Sequence, residues 1–255
     1  MAKRIYGKTV RELFDDLFAD IKLKHGEIIE RSKIINWFQQ KYPKIKPATV
    51  NCHCLRLATN VPDRVYYNAD QSDDVLFRVS RGVYRLYDPK TDPAPIYVKT
   101  HDIISEPKPQ PPVNEEDGEQ EFAYEKDLQQ FLAKNLELIE PNLQLYKDEE
   151  DEKITGLEFP TDDRRIDILA TDKSSDYVVI ELKVSKGHDR VVGQLLRYMG
   201  WIKQNLANEN QKVRGVIVAR EITEDLILAT SMVQDITLLE YKLKVSLHKV
   251  DSAGK

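Results

Sequence analysis

Cysteine is scarce: Cys52 and Cys54 are the only two in 255 residues. Two thiols separated by one residue staple nothing, so a disulfide framework is excluded and a reducing, cytoplasmic setting is expected. No apolar run approaches the roughly 20 residues of a membrane helix, and the N-terminus lacks the apolar core of a signal peptide, so no membrane is expected. A surplus of positive charge is also missing. The formal net charge is −5, which taken whole argues against a partner rich in phosphate. What is present is globular material, with 41% hydrophobic and 32% charged residues. The length suits one large domain or two small ones.

The charge is unevenly spread. Residues 1–98 hold 17 Lys/Arg against 12 Asp/Glu, a net of +5, whereas 99–122 and 123–255 each come to −5. In the basic part, Thr9-Val10-Arg11-Glu12 is a capping-box pattern that starts a helix. Val10, Leu13, Phe14, Leu17 and Ile21 continue it at helical spacing to about Lys24. A second helix is expected from about Ser32 to before Pro43, and a third from Pro47 to before Pro62. Val75–Val79 and Val83–Tyr87, joined by Ser80-Arg81-Gly82, read as a β-hairpin.

Three short helices followed by a hairpin resemble a winged helix-turn-helix, a DNA-binding fold. The resemblance makes the third helix a recognition helix exposing Thr49, Asn51, His53 and Arg56, with Arg81 at the wing tip reaching phosphate or the minor groove. The same fold also serves protein contacts. Cys52-His53-Cys54 is too tightly spaced for a usual zinc site, and Cys54 is assigned to the core.

Prolines 107, 109, 111 and 112, followed by Glu115, Glu116, Asp117 and Glu119, mark 99–120 as an acidic linker between domains at 1–98 and 121–255 that move relative to each other. The second domain opens with a helix, Phe122 to Leu138, carrying Leu128, Phe131, Leu132 and Leu136 inward. Glu125 falls on that same side, an awkward place for an unpaired carboxylate. Strand candidates follow at 143–146 and 154–159, and then a hairpin of Arg165–Ala170 and Tyr177–Val184. A long helix near 189–206, a buried strand at 213–219, a helix near 223–232 and a last strand near 236–247 complete an α/β chain of αβββαβ order.

The hairpin carries the chemistry. Alternation places Tyr177, Val179, Glu181 and Lys183 on one face, and Asp167 shares its face with Arg165 and Leu169. Pairing the strands gathers Asp167, Glu181 and Lys183. Two close carboxylates repel unless a cation neutralises them. Magnesium takes oxygen ligands, so Asp167, Glu181 and the Leu182 carbonyl suit it. A metal there polarises a phosphoryl oxygen and activates water, which Lys183 positions. An E-x-K on a strand is weak evidence alone, because alternating Glu and Lys is common on solvated strands.

Glu125, R-I-D-I-L-A with Asp167, V-V-I-E-L-K with Glu181 and Lys183, and G-Q-L-L-R-Y-M-G-W-I with Gln194 together resemble the PD-(D/E)xK nuclease superfamily. Within it they are most similar to the catalytic domain of the NucS (EndoMS) endonucleases, over roughly 121–220. The resemblance implies a restriction-endonuclease-like core and a Mg²⁺-dependent DNA endonuclease, with Mn²⁺ as a possible substitute and no small-molecule cofactor. It implies that Asp167 and Glu181 bind metal, that Lys183 acts at the nucleophile, and that Glu125 and Gln194 complete the site. Arg165 and Tyr198 become DNA-contacting or supporting residues. The β-rich N-terminal domain of that family is replaced here by the winged-helix pattern. The expectation is therefore a restriction-type enzyme cutting double-stranded DNA as a homodimer. Alternatives are a mismatch or repair endonuclease and a non-catalytic DNA-binding regulator.

Overall fold

The computed structural model describes residues 6–97, 125–161, 164–187 and 189–243. The expected linker at 99–120 and the end of the last expected strand lie outside them.

The first unit begins with α1 (Val10–Ile21), whose Thr9 side chain accepts from the Glu12 amide while Glu12 reaches back to the Thr9 amide. The capping box is thus formed, and Lys22 in the left-handed region ends the helix three residues sooner than its apolar spacing suggests. β1 (Ile28–Glu30) follows. Its three residues are too few for alternation to announce a strand. Then come α2 (Arg31–Lys41), α3 (Pro47–Leu57), β2 (Leu76–Ser80) and β3 (Val83–Leu86). The three strands form an antiparallel sheet in the order β1-β3-β2. Gly82 turns the hairpin with φ +71°, a conformation that costs a residue with a side chain.

The second unit opens with α4 (Glu125–Lys134), continued by a 3-10 turn, Leu136–Leu138. Leu128, Leu132 and Leu136 point inward as expected, but Phe131 is 42% exposed. At 100° per residue it falls between the apolar stripe and the solvent face. β4 (Gln144–Leu145), β5 (Leu157–Pro160), β6 (Arg165–Thr171) and β7 (Tyr177–Gly187) precede α5 (Arg190–Asn205), β8 (Val213–Ile222), α6 (Glu224–Thr230) and β9 (Ile236–Glu240). The sheet runs β4-β6-β7-β8-β9, with β5 also on β6. β6 and β7 are antiparallel, whereas β7–β8 and β8–β9 are parallel. Leu128 and Leu132 of α4 pack with Ile168, Ala170, Val178, Ile180 and Leu182. Leu195, Tyr198 and Ile202 of α5 cluster with Leu169, Tyr177, Val179 and Ile217. The hairpin faces therefore divide as their alternation predicts. Gly215 lets α5 lie close on β8, because a Cβ there would meet the Leu195 side chain at 2.6 Å. Among the described residues no helix is long and apolar enough to cross a membrane.

The two units are not independent bodies. One buried apolar cluster runs from Val10, Phe14, Phe38 and Val50 of the first into Tyr146, Phe159 and Tyr177 of the second. Helix α3 lies in this junction, and every residue from Ala48 to Leu57 is buried. The expectation that α3 exposes a recognition face is corrected here. Thr49 and Asn51 are each 2% exposed, His53 1% and Arg56 8%.

Candidate active site

β6 and β7 pair from Thr171–Tyr177 up to Ile168–Ile180, and one step further the ladder opens. At that opening stand Asp167 and Glu181. Asp167 Oδ2 accepts from the Leu182 amide at 2.8 Å, so a side chain takes the place of a backbone partner. Glu181 is only 1% exposed; its Oε1 accepts from Gln194 Nε2 of α5 at 2.5 Å and from Lys183 Nζ at 3.1 Å. Lys183 Nζ also donates to the Leu182 carbonyl at 2.6 Å and lies 3.3 Å from Glu125 Oε2 of α4. Asp167, Glu181, Lys183, Glu125, Gln194 and the Leu182 carbonyl are thus brought together.

Burial pushes the Asp167 carboxyl up, against the Leu182 amide and Lys183 charge that favour its ionised form. Glu181 is raised by burial first and by the Asp167 charge second. Lys183 is held above its ordinary value although burial opposes this, because Glu181, Glu125 and Asp167 surround it. Two carboxylates and one ammonium leave the site short of positive charge. Glu181 Oε2 is buried with no hydrogen-bond partner. This orphaned oxygen, the Asp167 carboxylate and the Leu182 carbonyl form an all-oxygen donor set that fits a hard divalent cation. Among the described residues no group of three or more His, Cys, Asp or Glu side chains forms a ready metal cage. A cation held by the smaller set keeps several waters, as magnesium prefers.

Two residues that sequence reasoning missed support the pair. Gln129 of α4 is buried and donates through Nε2 to the Asp167 carbonyl at 2.8 Å and to Glu158 Oε1 at 2.9 Å. Its position, one turn after Glu125, was the available signal. Glu158 of β5 has φ +51°, uncommon for a residue with a side chain, and no sequence pattern announces that. Gly156 makes the crossing possible, since a Cβ there would lie 1.8 Å from the Leu169 carbonyl oxygen.

The remaining expected contacts lie elsewhere. Tyr198 is buried and packed under the site, its hydroxyl 3.4 Å from Gln194 Nε2. Burial and then the Glu181 charge raise its phenol. Arg165 is turned to the first unit: it lies 2.7 Å from Asp63 and stacks over Tyr66 at 3.8 Å, so it is not presented to DNA. Thr49 donates to Asp148 at 2.6 Å, and Asn51 accepts from Arg31 at 3.0 Å. His53 lies 3.3 Å from Asp151, and Arg56 reaches Asp151 at 2.8 Å and Asp73 at 3.0 Å. These four are interface and core residues: Asp148 and Asp151 of the second unit take Thr49, His53 and Arg56, Asp73 of the first also takes Arg56, and Arg31 takes Asn51. Arg81 alone of the expected first-unit contacts stays exposed, at the hairpin tip. Cys52 and Cys54 are buried, with thiols pushed up by burial, to about 12 for Cys54.

Comparison with known proteins divides the chain in the same two parts. Residues 9–86 match a family described as Domain of unknown function (DUF7669), and residues 124–249 match Endonuclease NucS C-terminal domain. Endonuclease NucS of Pyrococcus horikoshii is 41% identical over 59 residues, covering 23% of this chain and 22% of that protein. Endonuclease NucS of Methanocaldococcus jannaschii is 29% identical over 99 residues, covering 39% and 34%. The chain thus spans about a fifth to a third of the length of these curated relatives. Among solved structures, a repair endonuclease from Pyrococcus abyssi matches at 24% identity over 46% of each chain, with a TM-score of 0.38. EndoMS in a complex with double-stranded DNA matches at 23% identity over 46% of this chain and 44% of that one, with a TM-score of 0.37. The second half of this chain is a NucS-like domain of the PD-(D/E)xK nuclease superfamily.

Proposed function

We propose that the chain is a divalent-cation-dependent endonuclease hydrolysing phosphodiester bonds of double-stranded DNA, of restriction type. The observation that carries the reading is the convergence of Asp167, Glu181 and Lys183 where the β6–β7 ladder opens, with one Glu181 oxygen buried and unpartnered. Asp167, Glu181 and the Leu182 carbonyl would hold Mg²⁺ or Mn²⁺. When bound, the cation neutralises the pair and stabilises charge on a phosphoryl oxygen. Lys183, which touches Glu181, Glu125 and the Leu182 carbonyl, would orient the attacking water with its ammonium and stabilise negative charge on the phosphate in flight. Gln194 fixes the Glu181 rotamer. Glu125 holds Lys183 from the opposite side and accepts a proton at the rim of the site.

We read the first unit as a winged helix-turn-helix, a reading supported by its element order α1-β1-α2-α3-β2-β3. With α3 committed to the junction, it contributes to target choice through other surfaces, the hairpin tip with Arg81 among them. One site per chain and two strands to cut call for two copies meeting on the duplex. A second reading, cleavage at mismatched or damaged DNA, is favoured by the local identity to Endonuclease NucS.

The test is incubation of supercoiled plasmid with Mg²⁺ or with EDTA. Cutting should require Mg²⁺ and fall on the order of 10²–10³-fold in Asp167→Ala and Lys183→Ala. Undiminished cutting in both variants sinks the assignment. Perfect, mismatched and methylated duplexes run side by side separate restriction from repair.

A further inference from the structure

Two sets of arginines stand out among the described residues. Arg56, Arg64, Arg85, Arg165 and Arg214 each pair with a carboxylate, two of them (Arg56 and Arg165) across the junction. Arg164, Arg190 and Arg197 are exposed and have no carboxylate partner among the described residues. These three border the candidate site. Arg190 precedes Gln194 by four residues and Arg197 follows it by three, so all three lie along one side of α5. Gln194 is the residue that reaches Glu181. Arg164 immediately precedes β6, three residues before Asp167, and its charge is felt at the Tyr198 hydroxyl beneath the site.

The helix that carries two of them, α5, holds no Asp or Glu in its sixteen residues, although Asp189 caps its start and the chain as a whole is acidic. Gly193 and Gly200 lie on its exposed side, and a Cβ at either would meet nothing within 4 Å. A polyanion can therefore approach the helix backbone closely there. Three arginines without a carboxylate partner among the described residues, beside two buried carboxylates, favour an anionic ligand that has to come near.

We infer that Arg164, Arg190 and Arg197 form a phosphate-docking rim that seats the backbone of the DNA strand whose bond lies over Asp167 and Glu181. This deepens the endonuclease reading and rests on it. Arginine suits the task because its planar fork binds phosphate through two hydrogen bonds and keeps its charge at any working pH. Such contacts carry no sequence information, so the rim sets register and affinity and leaves target choice to other surfaces.

Binding is the readout, measured apart from cleavage. A fluorescein-labelled duplex of about 30 base pairs is titrated with the full chain in EDTA at several KCl concentrations, and the slope of log K against log[salt] is taken. Each lost phosphate contact lowers the slope by about 0.9, so Arg190→Gln with Arg197→Gln should lower it by about 2, and adding Arg164→Gln should lower it further. Lysine at the same positions should keep most of the slope. Lys173→Gln, in the turn at the far end of the β6–β7 hairpin, should leave it unchanged. An unchanged slope in the glutamine variants, or an equal drop in Lys173→Gln, overturns the rim. Failure of the unaltered chain to bind the duplex overturns the rim together with DNA as substrate. Salt-dependent binding by the rim with no Mg²⁺-dependent cutting refutes the hydrolytic reading alone.

Discussion

The Thr49 hydroxyl donates to the Asp148 carboxylate at 2.6 Å across the junction of the two units, and both residues are buried. The same carboxylate accepts from the Tyr146 hydroxyl and from the amides of Glu150 and Asp151, so loss of the threonine removes one of four donors and the only one from the first unit. Thr49→Val keeps the shape and removes the donor. It should cost about 1–3 kcal/mol, and Arg56→Ala should cost about 3–5 kcal/mol because it removes the guanidinium that Asp73 and Asp151 share. Urea denaturation followed by tryptophan fluorescence checks both. If the halves separate in either variant, one transition should become two.

The junction should also be sensitive to acid. Burial alone would raise the Asp151 carboxyl, but the hydrogen bond and charge of His53, joined by Arg56, hold it at about 2. A carboxylate depressed in the folded state adds stability that is complete above its ordinary value of 3.8 and is lost as pH falls through 2. The free energy of unfolding should therefore decline between about pH 4 and pH 2, and Asp151→Asn should flatten that decline. An identical acid limb in the variant would exclude Asp151 as its source.

At the site the sign is opposite. Glu181 is raised in the folded chain, so its contribution is complete below its ordinary value of 4.5 and is progressively lost as pH climbs. In EDTA at pH 8, Glu181→Gln should unfold at a higher temperature than the unaltered chain, by on the order of 1–3 kcal/mol in stability, with little difference at pH 4.5. Added Mg²⁺ should stabilise the unaltered chain and leave the variant where it was. A variant less stable than its parent at pH 8 would refute the claim that the pair is electrostatically strained.

The parts of this chain legible in its sequence are those that obey a local period. Thr9 and Glu12 announce a helix start, and the alternation from Tyr177 to Val184 divides buried faces correctly. The same alternation brings Asp167, Glu181 and Lys183 to one edge. The fate of α3 was not legible, because Thr49, His53 and Arg56 look like an exposed polar face until Asp148 and Asp151, almost 100 residues later, are folded against them. A polar side chain looks the same whether water or a distant carboxylate satisfies it. Glu158 escaped for a different reason: its left-handed backbone lies two residues after the close approach of Gly156 to Leu169, and both belong to the assembled sheet rather than to a local period.

Arg165 ties β6, two positions before Asp167, to Asp63 and Tyr66 of the first unit, while its Nη1 donates to the Glu158 carbonyl at 2.7 Å. The strand bearing the first acidic residue is thus moored at one end to a neighbour that the family boundaries treat as separable. Cutting the chain between the two matched families would leave a bare guanidinium, an uncovered Tyr177 and a slack β6. The NucS-like half of this protein is therefore a poor module for transplantation, and a chimaera built on it would have to carry the Pro62–Tyr67 turn along with the catalytic strands.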